Sequence, residues 1–320
     1  MKKKICIIAG EPESINTEII AKSWKKLSNN LKKKIFVIGN FNLINDQFNG
    51  IGIKIKTNKI NSISDKFDSK KINIFNVNLN YKKPFKINIK KKSKYISKCL
   101  NLAHNLCIEK KLIGFINCSI DKNIFKNYDG VTEFLAKKNK LNNTQNMLIY
   151  GKEFSVVPIT THQNLKNALK KVNKQLLMKK IFSLSADYKK LFRNKPKIAV
   201  LGLNPHNSEF RNSSEETKII KPCVNNLIKK KVKIYGPFSS DQMFLNKMYK
   251  KFDVIVGMYH DQVLTPLKII SGFNAINITL GLKYLRVSPD HGTAVNLIGK
   301  NKAKPESLIK CIHFINRFGK

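Results

Sequence analysis

The sequence predicts an α/β protein built on a largely parallel sheet. Three observations carry this. From about residue 150 onward, short apolar runs of strand length alternate with amphipathic stretches of helical length. The chain has 320 residues and is 42% hydrophobic, enough for one large domain or two medium ones with a buried core. No apolar run approaches the roughly 18 residues that a membrane span requires.

The elements read in order. "KKKICIIAG" is strand-like, and "TEIIAKSWKKL" has helical spacing, with Ile19, Ile20, Trp24 and Leu27 on one face. The basic start and the short apolar run end at Gly10-Glu11-Pro12 with no small-residue cleavage site, so a first strand is expected there and a cytoplasmic location. "KKIFVIGNFNLI" is a second strand and turn. Residues from about 50 to 95 are rich in lysine and asparagine, with β-like pieces such as "KINIFNVNL". "SKYISKCLNLAHNLCIEKK" is an amphipathic helix and "LIGFINCSI" a buried strand. Further on, "EFSVVPITTH", "KIAVLGLNPH", "VKIYGPF", "DVIVGMYHD", "AINITLGL" and "LRVSPDHGTA" are strands with their turns. "QNLKNALKKVNKQLLMKKIFSLSADYKKLF" (one or two helices), "TKIIKPCVNNLIKKK" and "SSDQMFLNKMYKKF" are the intervening helices. No G-x-G-x-x-G follows any strand, which argues against an ordinary dinucleotide-binding unit.

The net charge of +41 invites a nucleic-acid reading, yet only four of the 61 basic residues are arginine. Sequence-specific readers rely on arginine for bidentate contacts. Lysine, asparagine and isoleucine are inflated along the whole chain, the mark of a drift toward A/T-rich codons. No specific nucleic-acid partner and no membrane partner is expected, only salt-sensitive attraction to polyanions. The six cysteines form no C-x-x-C pair and sit in apolar patterns, as buried free thiols do.

Three of the six histidines share one grammar: His162 follows "EFSVVPITT", His206 follows "KIAVLGLNP" and His260 follows "DVIVGMY". Ligands of open α/β sheets bind beyond the carboxyl ends of the strands. Three imidazoles at such ends make a candidate metal site with an open position. Asp261 beside His260 is a candidate to orient an imidazole or move a proton, or else a helix cap; Asp241 is similarly divided. Lys268, Asn277 and Arg286 point to an anionic substrate. Arg286 carries the most weight, because a scarce arginine implies need of its planar fork.

The stretches "GLNPH", "MYHDQ…LK", "GFNAINITLGL" and "R…DHGTA" closely resemble the 4-hydroxythreonine-4-phosphate dehydrogenase family of vitamin B6 biosynthesis, in order along nearly the whole chain. The resemblance implies an α/β/α fold like that of isocitrate and isopropylmalate dehydrogenases, with two subdomains around a central cleft. Residues 1–128 with 293–320 would form the cofactor-side subdomain, and 129–292 the subdomain of metal, substrate and dimer interface. It implies a homodimer with shared active sites, and one divalent metal (Zn, Mg, Co or Mn) on His162, His206 and His260. Substrate would be held by Thr132, Lys268, Asn277 and Arg286. NAD or NADP would lie against His291, Gly292, Thr293 and Ala294. The implied reaction oxidises the hydroxyl of 4-phosphooxy-L-threonine, with Asp261 or Lys268 as base, and the product β-keto acid loses CO₂.

The chain departs from the family at three places. "GVTEF" puts Val131 where the family has histidine, keeping Thr132. "NCSIDK" replaces a "TGP…K" turn, keeping Lys122. "GEPESINTE" replaces G-[DE]-P-A-G-I-G-P-E. These changes keep open the same chemistry on a phosphorylated four-carbon sugar acid of the erythronate or threonate type, or on a cyclic dihydrodiol. Acyl transfer to phosphate on a related fold, and a non-enzymatic basic RNA-binding protein, are the more distant alternatives.

Overall fold

The structure, a computed structural model, describes residues 4–125, 128 and 130–319, with the backbone alone at Phe273. The first residues of the predicted opening strand, and Asp129, where the second subdomain was expected to begin, lie outside them. Twelve strands follow in chain order among the described residues: β1 (Lys4–Ile8), β2 (Ile35–Gly39), β3 (Thr57–Ile60), β4 (Ile72–Asn76), β5 (Leu112–Asn117), β6 (Asn146–Tyr150), β7 (Ser155–Pro158), β8 (Ile198–Leu201), β9 (Ile234–Phe238), β10 (Val254–Gly257), β11 (Ile276–Leu280) and β12 (Leu285–Pro289). No helix among the described residues is long and apolar enough to cross a membrane.

The chain divides into two compact units, Met1–Val131 with Lys283–Lys320, and Thr132–Leu282. In the first, the strand order is β3-β4-β2-β1-β5-β12, and every pairing is parallel. Successive residues of β1 and β2 are almost all buried. Neighbouring side chains on a strand point to opposite faces, so both faces of this sheet are covered. The helix Ile89–Ile108 is one cover. Asn88 caps it by accepting from Lys90 N, and it buries Tyr95, Ile96, Cys99, Leu100, Ala103 and Cys107, the spacing of a single stripe. The return to this unit comes at Lys283, earlier than the expected residue 293. The cause is that β12 pairs with β5, which carries Arg286 into the first unit.

In the second unit the order is β11-β6-β7-β10-β8-β9. β7, β10, β8 and β9 run parallel, while β6 is antiparallel to both β7 and β11. The long helical stretch resolves into two helices, Leu165–Lys171 and Lys174–Phe192, because Asn173 caps the second by accepting from Leu176 N. The single helix expected over "SSDQMFLNKMYKKF" breaks after Phe244, with left-handed backbone at Asn246 and Lys247. Phe244 and Tyr249 both pack on Phe154, at 6.1 and 4.7 Å between ring centroids. Five residues apart on one straight helix they would point about 140° away from each other. The break lets both rings reach the same partner. All six cysteines are free and buried.

Candidate active site

β10 lies between β7 and β8 and is parallel to both, so the three strands deliver the residues after them to one edge of the sheet. The β7–β10 ladder continues past the strands. Ile159 N donates to Gly257 O (2.8 Å), and Thr160 donates to Met258 O through its N–H (3.3 Å) and its hydroxyl (2.7 Å). This extended pairing brings the rings of His162 and His260 within 5.3 Å of each other. His260 opens the helix His260–Ser271, whose buried Val263, Leu264 and Leu267 anchor it on the core around Phe154 and Ile255. Each such side chain contributes roughly 2 kcal/mol of apolar burial, so the helix start, and His260 with it, is held firmly.

Asp261 is not the helix cap, a place taken by Tyr259; its Oδ1 stands 2.6 Å from His260 Nδ1. A carboxylate on Nδ1 orients the ring and leaves Nε2 as the outward nitrogen. His206 follows β8 in a turn whose residues His206 to Phe210 all have left-handed backbone. Such a run costs on the order of 1 kcal/mol or more per residue and persists only where its surroundings impose it. Glu216, fully buried, holds the residues that lead into this turn by accepting from Leu203 N (2.7 Å) and Asn204 N (2.8 Å). Burial pushes the Glu216 carboxyl up, but these and the Asn204 side-chain bonds pull it below its usual range. His206 Nδ1 lies 3.7 Å from Asp241 Oδ2, both side chains exposed. Asp241 is therefore placed beside a histidine in the first turn of its helix, with Ser239 at the cap.

Among the described residues no three His, Cys, Asp or Glu side chains close around one point. The chain brings His162 and His260 together and sets His206 on the neighbouring strand end, turned to Asp241. Sequence reading missed the latch between these ends, Gln262. Its Oε1 accepts from Met258 N (2.7 Å), and its Nε2 donates to Gly202 O (2.7 Å) and Ser240 Oγ (2.7 Å). One side chain thus ties the end of β10 to the end of β8. Its position directly after His260-Asp261 was the available signal.

The expected substrate residues are distributed as follows. Thr132 is buried in the first turn of the helix Val131–Lys138, and the adjacent Glu133 accepts from Thr161 Oγ1 at 3.4 Å, beside His162. Lys268 is exposed on the helix that His260 opens, about 12 Å further along its axis, so their closeness in sequence is not contact. Asn277 is half-buried in β11, and its Oδ1 has no hydrogen-bond partner among the described residues. An orphaned buried acceptor of this kind awaits a donor. Arg286 is 3% exposed in β12, and its Nε donates to Asn117 Oδ1 at 2.6 Å.

The loop after β12 suits a cofactor. His291 Nδ1 stands 2.9 Å from Gly292 O; a carbonyl only accepts, so Nδ1 carries the proton. Burial pushes the His291 pKa down, toward the neutral ring. Its buried Nε2 is then a bare acceptor, with no partner among the described residues. Gly292 has open space where a Cβ would stand, Thr293 O accepts from Ile15 N (3.1 Å), and Ala294 has left-handed backbone. An exposed glycine beside a bare acceptor fits a ligand that donates an N–H or O–H.

The sequence departures meet each other in space. Ser119 Oγ donates to Asn16 Oδ1 (2.7 Å), and Asn16 Nδ2 returns a bond to Ser119 O (2.8 Å). Glu13 joins Glu11 in pairing with the buried Lys92, at 3.6 and 2.9 Å. The two altered motifs are thus bonded into one network.

The largely parallel α/β fold is of the isocitrate dehydrogenase-like class. An isocitrate dehydrogenase from Methylococcus capsulatus shares the fold, with a TM-score of 0.51 and 12% identity over 98% of this chain and 85% of that one. The chain belongs to the family of the pyridoxal phosphate biosynthetic protein PdxA, whose model matches residues 31–315. It is 34% identical over 318 residues to a 4-hydroxythreonine-4-phosphate dehydrogenase from Sulfurihydrogenibium, covering 97% of this chain and 96% of the relative. It is 37% identical over 186 residues to a D-threonate 4-phosphate dehydrogenase from Pectobacterium atrosepticum, covering 57% and 56%. The crystal structure of a 4-hydroxythreonine-4-phosphate dehydrogenase from Klebsiella pneumoniae matches with a TM-score of 0.86 at 27% identity, over 100% of both chains.

Proposed function

We propose that the chain oxidises the secondary hydroxyl of 4-phosphooxy-L-threonine to 2-amino-3-oxo-4-phosphooxybutanoate, which loses CO₂ to give 3-amino-2-oxopropyl phosphate. The observation that carries this is the placement of His162, His260 and His206 after the neighbouring parallel strands β7, β10 and β8, within the family named above. Three neutral nitrogen donors suit a divalent metal, and His162, His206 and His260 would hold it, in a homodimer with shared active sites. When bound, the metal supplies Lewis acidity toward the substrate hydroxyl. His291, Gly292, Thr293 and Ala294 would hold a nicotinamide dinucleotide, NAD or NADP, which would supply the hydride-accepting ring.

The chain's own residues do the rest. Asp261 orients the His260 imidazole through Nδ1. Asp261 or Lys268 takes the hydroxyl proton as the C–H hydride leaves. Arg286, Lys268, Asn277 and Thr132 bind the carboxylate and phosphate, Arg286 by its fork and Asn277 through its amide. The β-keto acid then releases CO₂ without further oxidation.

A second reading keeps the chemistry and changes the substrate to a phosphorylated four-carbon sugar acid. Val131, in place of the family's histidine beside Thr132, and the D-threonate 4-phosphate relative favour it. One experiment separates them: NADH formation at 340 nm with each substrate, before and after chelator treatment and metal restoration. Chelator-sensitive turnover of 4-phosphooxy-L-threonine is the expected result. Turnover of D-threonate 4-phosphate alone would establish the second reading, and turnover of neither would overturn both.

A further inference from the structure

We infer that Asn117 is a positioning residue for Arg286, setting the guanidinium for the substrate's anionic group. This rests on the proposed role of Arg286 in substrate binding. β12 pairs with β5 so that Arg286 lies opposite Phe115. Asn117 is two residues further along β5, on the same face, and so is the diagonal neighbour of Arg286, within reach of a long side chain. Both residues are 3% exposed, and Arg286 Nε donates to Asn117 Oδ1 at 2.6 Å.

The acceptor is itself held. Asn117 Nδ2 donates to Cys118 O at 3.2 Å, which turns the amide oxygen toward the guanidinium, a group that only donates. Cys118 N donates to Ile8 O (3.0 Å), and Ser119 O accepts from Glu11 N (2.9 Å) and Asn16 Nδ2 (2.8 Å). The ends of β1, β5 and β12 are neighbours in the sheet, so this lock fixes the strand end from which Asn117 projects. Asn117, Ser119 and Asn16 all stand where the chain departs from the two family motifs, and the departures brace one another.

The neutrality of the amide is part of the device. A carboxylate at position 117 would hold Nε as well but would cancel the positive charge that attracts an anion. An amide orients the fork without adding a negative charge.

The test is steady-state kinetics of Asn117→Ala, Asn117→Asp, Arg286→Lys and the double variant Asn117→Ala/Arg286→Lys. The substrate is whichever of 4-phosphooxy-L-threonine and D-threonate 4-phosphate the enzyme turns over, with thermal melting of each protein alongside. Asn117→Ala should raise KM about ten-fold or more, with kcat changed far less, as loss of a bond to a charged group implies. Asn117→Asp should raise KM while melting as the wild type does, which keeps the test decisive if the alanine variant folds poorly. The double variant should match Arg286→Lys alone within about two-fold, because both changes remove one arrangement. A raised KM in Arg286→Lys with an unchanged KM in both Asn117 variants would overturn this inference alone. Multiplying effects in the double variant would do the same. A normal KM in Arg286→Lys would overturn the binding role of Arg286, and this inference with it.

Discussion

Lys180 offers the sharpest energetic prediction. Its side chain lies in the helix Lys174–Phe192, is 7% exposed, and donates to Gln145 O at 3.0 Å. Burial, opposed by the charge of Glu133, pulls its pKa from an ordinary 10.5 down to about 8. At pH 7 the folded protein therefore carries this charge at a cost of about 3 kcal/mol relative to the unfolded chain. Lys180→Met removes that cost and keeps the stem's packing, but forfeits the bond to Gln145 O, worth about 1–2 kcal/mol. The variant should gain about 1–2 kcal/mol at pH 7. The sign of the pH dependence follows from the depressed folded pKa. Between about pH 8 and 10.5 the unfolded chain holds more protons, so wild-type stability rises with pH relative to the variant. By pH 10 the cost of the buried charge has fallen to about 1 kcal/mol, and the variant's advantage should vanish or reverse. Urea denaturation of both proteins at pH 7 and pH 10 measures this. A variant less stable at pH 7, or a difference that does not change with pH, would refute the reasoning.

Two further outcomes are expected. His260→Ala should abolish NADH formation and lower bound metal per chain, with an unchanged far-UV circular dichroism spectrum; undiminished turnover would remove the metal proposal. Glu216, whose carboxyl is held below its usual range, contributes stability that is complete above pH 4.5 and lost as pH falls through its folded pKa. Glu216→Gln should therefore lose less stability than wild type on acidification below pH 4.5, read from denaturant midpoints; parallel acid profiles would count against that role.

Much of the site was legible from local chemistry. Strand ends announce themselves as apolar runs stopping at polar residues, so His162, His206 and His260 could be placed after β7, β8 and β10 from sequence alone. Arg286 stood out because arginine is scarce in this chain. The adjacency of β7, β10 and β8 was not legible, since strand order is decided by crossovers that leave no local mark. Neither was the bond from Arg286 to Asn117, two residues 169 positions apart. The place of Lys268, two turns along the helix that His260 opens, was likewise set by the fold.

Composition and periodicity by themselves determined the largely parallel α/β class, the buried thiols and the histidines at the strand ends. Those features depend on burial and on backbone period, which each segment carries within itself. Which unit holds Arg286, which histidines face one another, what Gln262 latches, and how the altered motifs brace each other were decided only by the tertiary structure. Hydrogen bonds between side chains far apart in sequence need both partners fixed within about 3 Å, and only the packed sheet brings them there.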